Sequence, residues 1–470
     1  MADNGTAVKK RFSLGGSRTV DMTSGNIFIH ILKFSIPLLL GNLFQQLYNM
    51  VDTIVIGQAG LNEAYAAVGS VGPIINILIG FYAGFATGAG VLIAQYFSRK
   101  ESENVKNCVH TIVTVTLVMC AVFTAVGIIA TPFLLKLMLG ADSASFAPAR
   151  EYLTIYFAGV SGLLLYNIGA GILRAVGDSR RPFYYLVVAA LMNIVLDVLF
   201  VMGLKMGVAG VALATVISQL TSATLTFITL MRTDIVIKVE LRALGINKEQ
   251  LKKILLLGLP AAIQMSITAV ANVFVQGYIA GADGNQTYNL GGFTTYTKID
   301  QILFLPVQSL ALAVSTFVGQ NIGVGNKKRA RAGAYIALVS SLAIASVLCV
   351  IIMVFAPHLA WLFNPDTNVV DVSTTLLRFI TPFYLLCSFN QIFSAALRGE
   401  GNTLAPMIAM LTCFVGIRQV YLFLVSRFVS NALVPLVISY PVGWLTCAIF
   451  TVLFYHIRPT KRKKPAAENE

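Results

Sequence analysis

Charged residues are scarce in this 470-residue sequence. Only 11% of the residues are charged, whereas 57% are hydrophobic. Soluble domains carry about 25% charged residues, so the composition excludes an ordinary water-soluble protein of this length. It is typical of a polytopic membrane protein, in which each helix needs about 20 apolar residues to cross a bilayer.

Catalytic and metal-binding motifs are also missing. The six cysteines are scattered and form no CxxC pair, which excludes a disulfide framework and a zinc site. The sequence contains no GxxxxGK[ST] phosphate-binding loop and no HExxH pair. We therefore predict no enzyme activity and no cofactor, and we expect an ion gradient to supply the energy.

Long apolar runs fill most of the chain and predict an all-α membrane protein with twelve transmembrane helices. The predicted spans are 27–57, 64–97, 107–138, 151–173, 182–203, 207–231, 252–282, 289–322, 331–356, 372–397, 403–426 and 432–457.

The basic residues predict the orientation of these spans. An even number of spans places both termini on one side, and the turns and tails on that side hold the great majority of the Lys and Arg. Basic loops stay in the cytoplasm, so both termini are expected there. The net charge of +14 is thereby explained as a topology signal, without a nucleic-acid partner. We expect a monomeric, multi-pass protein of a bacterial or archaeal plasma membrane.

The two halves of the sequence repeat each other at an offset of about 224 residues. Residues 173–178 resemble residues 397–402, and Gln95 has a counterpart in Gln320. Each copy enters the membrane from the same side, which predicts two six-helix lobes related by a pseudo-two-fold axis along the membrane normal. Such lobes suit alternating access by rocking. The predicted division is a cytoplasmic tail at 1–26, a first lobe at 27–231, a linker at 232–251, a second lobe at 252–457 and a basic tail at 458–470.

A glycine stripe runs along the second span, with Gly80, Gly84 and Gly88 spaced four residues apart. Small residues at this spacing let two helices approach closely. The stripe is interpreted either as tight packing or as an interface that moves.

Two carboxylates lie inside apolar spans, Asp52 in the first and Asp197 in the fifth. A charged side chain in the bilayer costs roughly 2.5–3.5 kcal/mol on insertion scales, so such residues usually have a function. Estimated depths place both acids and Thr215 at a similar level below the outer boundary, with Asn193 one turn deeper. These four side chains are expected to converge. The alternative is a purely structural hydrogen-bond network.

The converging groups are hard oxygen ligands. Carboxylate, amide and hydroxyl oxygens suit Na⁺, so a possible Na⁺ site is predicted at Asp52, Asn193, Asp197 and Thr215. Because burial away from water favours the neutral form of a carboxyl group, protons fit the same set. The coupling ion is therefore predicted to be H⁺ or Na⁺.

The second half lacks this acidic set and carries other polar residues within its spans. The candidates for substrate contact there are Gln264, Asn272, Tyr296, Lys298, Asp300 and Arg418. Asp300 and Arg418 could form a structural ion pair or belong to a substrate or proton site. Lone amides such as Gln264 and Asn272 more often stabilise helix packing.

These features resemble those of the multidrug and toxic compound extrusion (MATE) family. The resemblance covers about residues 27–456 and rests on twelve spans in two lobes, on the Gln95 and Gln320 turns, and on the Arg174 and Arg398 turns. The acid pattern is most similar to that of the damage-inducible (DinF-like) subfamily.

The resemblance implies a secondary antiporter that exports amphipathic, often cationic, drugs while a cation enters the first lobe. It implies a cation site at Asp52, Asn167, Asn193, Asp197 and Thr215, and a bend in the first span at Pro37. The depth estimate places Asn167 nearer the cytoplasm than the other four.

Two other functions are compatible with parts of the pattern. A flippase for a lipid-linked precursor would share the scaffold, but its cleft should hold several Lys or Arg for phosphates, and only Lys298 and Arg418 qualify. An intramembrane enzyme would need a catalytic set, and none is visible. Transport of a fluorescent cation under an imposed gradient would separate the three.

Overall fold

The computed structural model describes residues 20–58, 62–139, 145–284 and 286–457, and within these ranges the regular structure is entirely helical. The α-helices are α1 (Ile27–Gln58), α2 (Asn62–Ser98), α3 (Ser102–Leu139), α4 (Phe146–Ala158), α5 (Val160–Ala175), α6 (Arg180–Asp197), α7 (Gly207–Arg232), α8 (Lys248–Ala280), α9 (Gln286–Gly323), α10 (Lys327–Phe363), α11 (Thr367–Ile380), α12 (Tyr384–Gly399), α13 (Leu404–Met410), α14 (Arg418–Phe428), α15 (Leu433–Val437) and α16 (Ser439–Ile457).

Short π and 3₁₀ segments join several of these helices into longer spans. The π segments are Val198–Gly203, after α6, and Leu411–Ile417, between α13 and α14; the 3₁₀ segments are Leu241–Ala243, Ala282–Gly284 and Thr381–Phe383. In the described ranges, eleven segments are long and apolar enough to cross a membrane, and the bent pair α4–α5 supplies a twelfth. The predicted all-α polytopic fold is confirmed.

The fourth span differs from the single straight helix that was predicted. It breaks between α4 and α5, whose axes differ by 47°. The break falls at Gly159, where an added Cβ would lie 2.1 Å from a methyl carbon of Val216. The missing side chain therefore allows α7 to approach the bend closely, which the hydrophobic pattern does not reveal.

The seventh span begins earlier than predicted. The helix α8 starts at Lys248, because the side chain of Asn247 accepts hydrogen bonds from the backbone N–H groups of Glu249 and Gln250. This N-cap stabilises the first turn of the helix. That turn is polar, so a search for apolar runs does not include it in the span. The segment between α7 and α8 is correspondingly shorter than the predicted linker.

The repeated turns share one backbone geometry. Gly177 and Gly401 have φ values of +87° and +86°, a region that glycine adopts without strain. The backbone N–H of each glycine donates to the backbone oxygen of the arginine three residues earlier. The distances are 2.9 Å from Gly177 to Arg174 and 2.8 Å from Gly401 to Arg398. The sequence repeat therefore corresponds to a structural repeat at these helix ends.

The two halves of the chain contact each other on the side where α1 begins and α16 ends, called here the terminal side. One hydrophobic cluster on this side joins α2, α3 and α5 to the start of α8. A second joins the start of α1 to α9, α10, α12 and α16. On the opposite side, called the far side, the largest clusters are confined to single halves. Apolar contacts between the halves are therefore concentrated on the terminal side.

The glycine stripe of α2 forms a close contact between the halves. A Cβ added at Gly84 would lie 2.4 Å from the backbone oxygen of Ala261, and one added at Gly88 would lie 2.4 Å from Cα of Gly258. Nearer the far side, the Ser266 hydroxyl donates to the backbone oxygen of Ile77 at 3.1 Å. The stripe thus packs the two halves together, so the tight-packing interpretation describes its geometry.

Candidate functional site

Three helices of the first half bring four predicted polar residues together. Asp52 projects from α1, Asn193 and Asp197 from α6, and Thr215 from α7, and all four are at most 5% exposed. The Thr215 hydroxyl lies 3.4 Å from Asp52 Oδ2 and 3.0 Å from the backbone oxygen of Val211. The side chains of Asn193 and Asp197 neighbour the Asp52 carboxylate. The depth estimate therefore predicted this convergence.

Most polar atoms of this group have no hydrogen-bond partner outside the group. They are Asp52 Oδ1, both carboxylate oxygens of Asp197, and the side-chain oxygen and nitrogen of Asn193. Buried polar atoms are normally paired, and unpaired ones indicate strain, water, an ion or a functional role. Two carboxylates side by side also repel each other unless a positive charge is shared between them. The arrangement can therefore take up a proton or a small hard cation.

Tyrosines surround the acidic pair, and the sequence analysis did not identify them. Tyr48, Tyr152 and Tyr156 are each at most 8% exposed, and the rings of Tyr152 and Tyr156 stack with centroids 6.2 Å apart. Tyr48 and Tyr152 lie within electrostatic range of Asp52. For Tyr48 a signal existed, since it stands four residues before Asp52 and thus on the same helix face.

A small cavity adjoins the acidic group. It has a volume of about 20 Å³, and its walls include Tyr48, Thr215 and Ser218. A cavity of about 10–15 Å³ measured in this way accommodates one water molecule, provided that polar partners are present. The site therefore has room for a solvent molecule or ion beside Thr215.

Asn167 differs from the other predicted members of the cation site. Its side-chain nitrogen donates to the backbone oxygen of Leu163 at 2.8 Å, within its own helix α5. Among the described residues, the side chains that contact the Asp52 carboxylate are those of Asn193, Asp197 and Thr215, and Asn167 is not one of them. The depth estimate had placed it apart from the other four.

Asp300 and Arg418 have different hydrogen-bond partners, and the rings of Tyr296 and Tyr440, with centroids 6.3 Å apart, lie between their groups. Asp300 accepts hydrogen bonds from Tyr296, at 3.4 Å, and from Tyr384. Arg418 donates to Asn272 Oδ1 at 2.9 Å. In the described part of the chain, no ion pair joins Asp300 to Arg418. The proposed pairing is therefore wrong, because tyrosine hydroxyls satisfy the acid and an amide satisfies the guanidinium.

The remaining candidates of the second half occupy different environments. Gln264 is 2% exposed, and its side-chain nitrogen lies 2.7 Å from the sulfur of Met410. Lys298 is exposed. Gln264 thus contributes to packing between α8 and α13, whereas Lys298 is available to contact another molecule.

Pro37 lies within the continuous helix α1. Around it, α1 packs through Ile31, Phe34 and Leu38 in the cluster shared with α9 of the second half. Farther along, the same helix carries Asp52 into contact with α6 and α7. One helix therefore links the acidic group to the interface between the halves.

Comparison with known proteins identifies the relatives of this chain. A "Probable multidrug resistance protein YoeA" from Bacillus subtilis is 28% identical over 429 residues, which cover 90% of this chain and 92% of the relative. A MOP superfamily transporter from Pyrococcus furiosus, described by the words "reverse polarity of binding pocket suggests different function", has a TM-score of 0.88 and 26% identity. The match covers 94% of this chain and 98% of that one.

A second solved structure matches equally well and shows a defined conformation. It is an outward-facing multidrug resistance MATE family transporter, with a TM-score of 0.88, 26% identity, and coverage of 94% of this chain and 98% of that one. The MatE family profile matches residues 37–199 and 257–424, more than half of the sequence. The chain is thus a membrane transporter, not an enzyme, and it belongs to the MatE family.

Proposed function

We propose that this protein is a secondary antiporter that exports amphipathic organic molecules in exchange for H⁺ or Na⁺. The observation that carries the proposal is the contact between two buried carboxylates, Asp52 and Asp197, whose oxygens are largely without hydrogen-bond partners outside the group around Asp52. Ionisable residues inside the membrane commonly mark ion pathways in transporters. The multidrug names of the relatives support drugs as the substrate class.

The coupling ion would bind between α1, α6 and α7. Asp52 and Asp197 provide charge, and Asn193 and Thr215 provide neutral oxygens, so the set suits Na⁺ as well as a shared proton. Either ion would neutralise the repulsion between the carboxylates. Ion binding would therefore strengthen the packing of α1 against α6 and α7.

Alternating access would follow from motion of two lobes, residues 27–231 and 252–457, with the terminal side in the cytoplasm. The apolar contacts between the halves are concentrated on the terminal side, an arrangement that would suit an outward-open state under this orientation. An ion can drive the cycle only by binding one conformation more tightly than the other. Since α1 contacts both lobes, a change in its packing at Asp52 would alter the interface near Pro37.

Substrates would bind in a cleft between the lobes, where the polar candidates of the second lobe contribute. A flippase for a lipid-linked precursor is less well supported, because the second-half spans provide only Lys298 and Arg418 as cationic candidates. The assignment to the damage-inducible subfamily and the monomeric state stay predictions.

Purified protein in proteoliposomes tests the proposal. We expect an ethidium-type fluorescent cation to be transported when either a Na⁺ gradient or a pH gradient is imposed, and not when both are collapsed. The responsive gradient identifies the coupling ion. Equal transport with and without both gradients would contradict the proposal. Empty liposomes under the same gradients provide the control for passive dye movement.

A further inference from the structure

The guanidinium of Arg418 is buried in the second half without an acidic partner. Arg418 is 2% exposed, and its Nη2 donates to Asn272 Oδ1 at 2.9 Å. Its Nε has no hydrogen-bond partner. The rings of Phe414 and Tyr440 lie 5.1 Å and 5.6 Å from the guanidinium carbon. The aromatic rings stabilise a cation, but they do not neutralise it.

The acid that could neutralise Arg418 is engaged elsewhere. Asp300 receives hydrogen bonds from Tyr296 and Tyr384, and in the described ranges it forms no ion pair. Arg418 thus keeps its positive charge in a region of low polarity. An uncompensated buried charge is costly and is usually retained for a function.

Asn272, the partner of Arg418, lies on an exposed part of α8. It stands seven residues after Met265, which contacts Gly80 of α2, and seven residues correspond to nearly two full helical turns. Asn272 therefore shares the face of α8 that is directed at the first half. Its side chain is exposed. The guanidinium reaches this surface through Asn272.

Two further features support a binding role for this region. The π segment Leu411–Ile417 immediately precedes Arg418, and π segments occur frequently at functional sites. Lys298, on α9, is exposed and adds a second positive charge to the second half. The intramembrane charges of the first half are instead the carboxylates of Asp52 and Asp197.

We propose that Arg418 and Asn272 form an anion subsite that binds a carboxylate, sulfonate or phosphate group of an amphipathic substrate. The guanidinium provides a planar set of donors that matches such anions. On binding, the anion would accept from Arg418 and from the Asn272 amide, and the aromatic rings would contact the apolar part of the substrate. The inference rests on the proposed export function and extends its substrate class to amphipathic anions and zwitterions.

Equilibrium binding of two matched dyes tests this subsite. Rhodamine B carries a carboxylate, and its ethyl ester does not, although the two are otherwise alike. With the full chain in phosphatidylcholine nanodiscs, we expect the wild type to bind rhodamine B at least tenfold more tightly than the ester. Arg418→Gln should remove this preference, so that the affinities for the two dyes agree within twofold. Empty nanodiscs correct for partitioning of the dyes into lipid.

A second variant protects the test against misfolding. Asn272→Asp places a carboxylate beside the intact guanidinium, so it should abolish the preference for rhodamine B while the protein stays monodisperse. Equal affinity of the wild type for both dyes, or a retained preference in Asn272→Asp, would overturn the inference. No gradient is used, so loss of ion-driven transport would contradict the export proposal without affecting this result.

Discussion

The side-chain amide of Gln95 donates to the backbone oxygen of Gly399 at 3.0 Å and so joins α2 of the first half to α12 of the second. Its repeat counterpart Gln320 donates to the backbone oxygen of Ala175, in α5, at 3.2 Å. The two bonds are reciprocal, since each half provides one glutamine and one helix end. They hold the terminal side closed.

We predict that Gln95→Leu will weaken this closure. Loss of one neutral hydrogen bond costs about 1 kcal/mol, which changes a two-state population roughly fivefold. Spin labels would be attached at Leu204→Cys and Val429→Cys, because both positions are exposed on the far side. Weaker closure should increase the fraction of molecules with a short distance between the two labels. The six native cysteines are buried and would label poorly.

Gln308→Leu provides the matched control, because Gln308 is an exposed glutamine of α9. The spin-labelled Gln308→Leu protein should show the same distance distribution as the spin-labelled protein that keeps both Gln95 and Gln308. An unchanged distribution in Gln95→Leu would show that the bond does not contribute to closure.

The contact between α2 and α8 should tolerate no added methyl group. Gly84→Ala would place its Cβ 2.4 Å from the backbone oxygen of Ala261, so the helices must separate. Overpacking of this kind costs about 1–3 kcal/mol. We expect a lower Tm and reduced transport, measured on the same preparation. Gly277→Ala, in α8 with no neighbouring atom within 4 Å, should leave both unchanged. Equal Tm values for the two variants would contradict the packing account.

Substitutions at Asp300 and Arg418 should act independently. The two side chains form no ion pair and are linked only through the contact between the rings of Tyr296 and Tyr440, so the coupling between the effects of Asp300→Asn and Arg418→Gln on thermal stability should not exceed about 0.5 kcal/mol. The measurement is a double-mutant cycle of unfolding temperatures at one pH. A clearly smaller combined effect would show that the charges meet in a conformation other than this one.

Sequence patterns predicted the spans and the acidic group well for physical reasons. Apolar length defines a transmembrane helix, and a lone acid such as Asp52 stands out in an apolar run. The bend at Gly159 and the position of Tyr152 near Asp52 were not predicted, because both depend on contacts between distant spans. The pairing of Asp300 with Arg418 was wrong because Tyr384 and Asn272, which satisfy them, are unremarkable in the sequence.

The coupling role of Pro37 stays a prediction. Proline removes a backbone hydrogen bond and leaves a weak point in a helix. We expect Pro37→Ala to retain ion binding, because Asp52 lies fifteen residues farther along α1, and to reduce coupled export. Binding of ²²Na⁺, or proton uptake, and drug flux should be measured on one preparation. Export at the normal rate would show that coupling does not require a bend at this residue.

The carboxylate pair is tested most directly by gradient-driven export in Asp197→Asn. The amide keeps the shape of the side chain and removes the charge that would hold the cation, so export should fall to the level of empty liposomes while the protein stays folded and monodisperse. Asp52→Asn should reduce export strongly, with one carboxylate remaining. Asp300→Asn, which removes a carboxylate of the second half, should retain ion binding. Normal gradient-driven export by Asp197→Asn would contradict the proposed cation site.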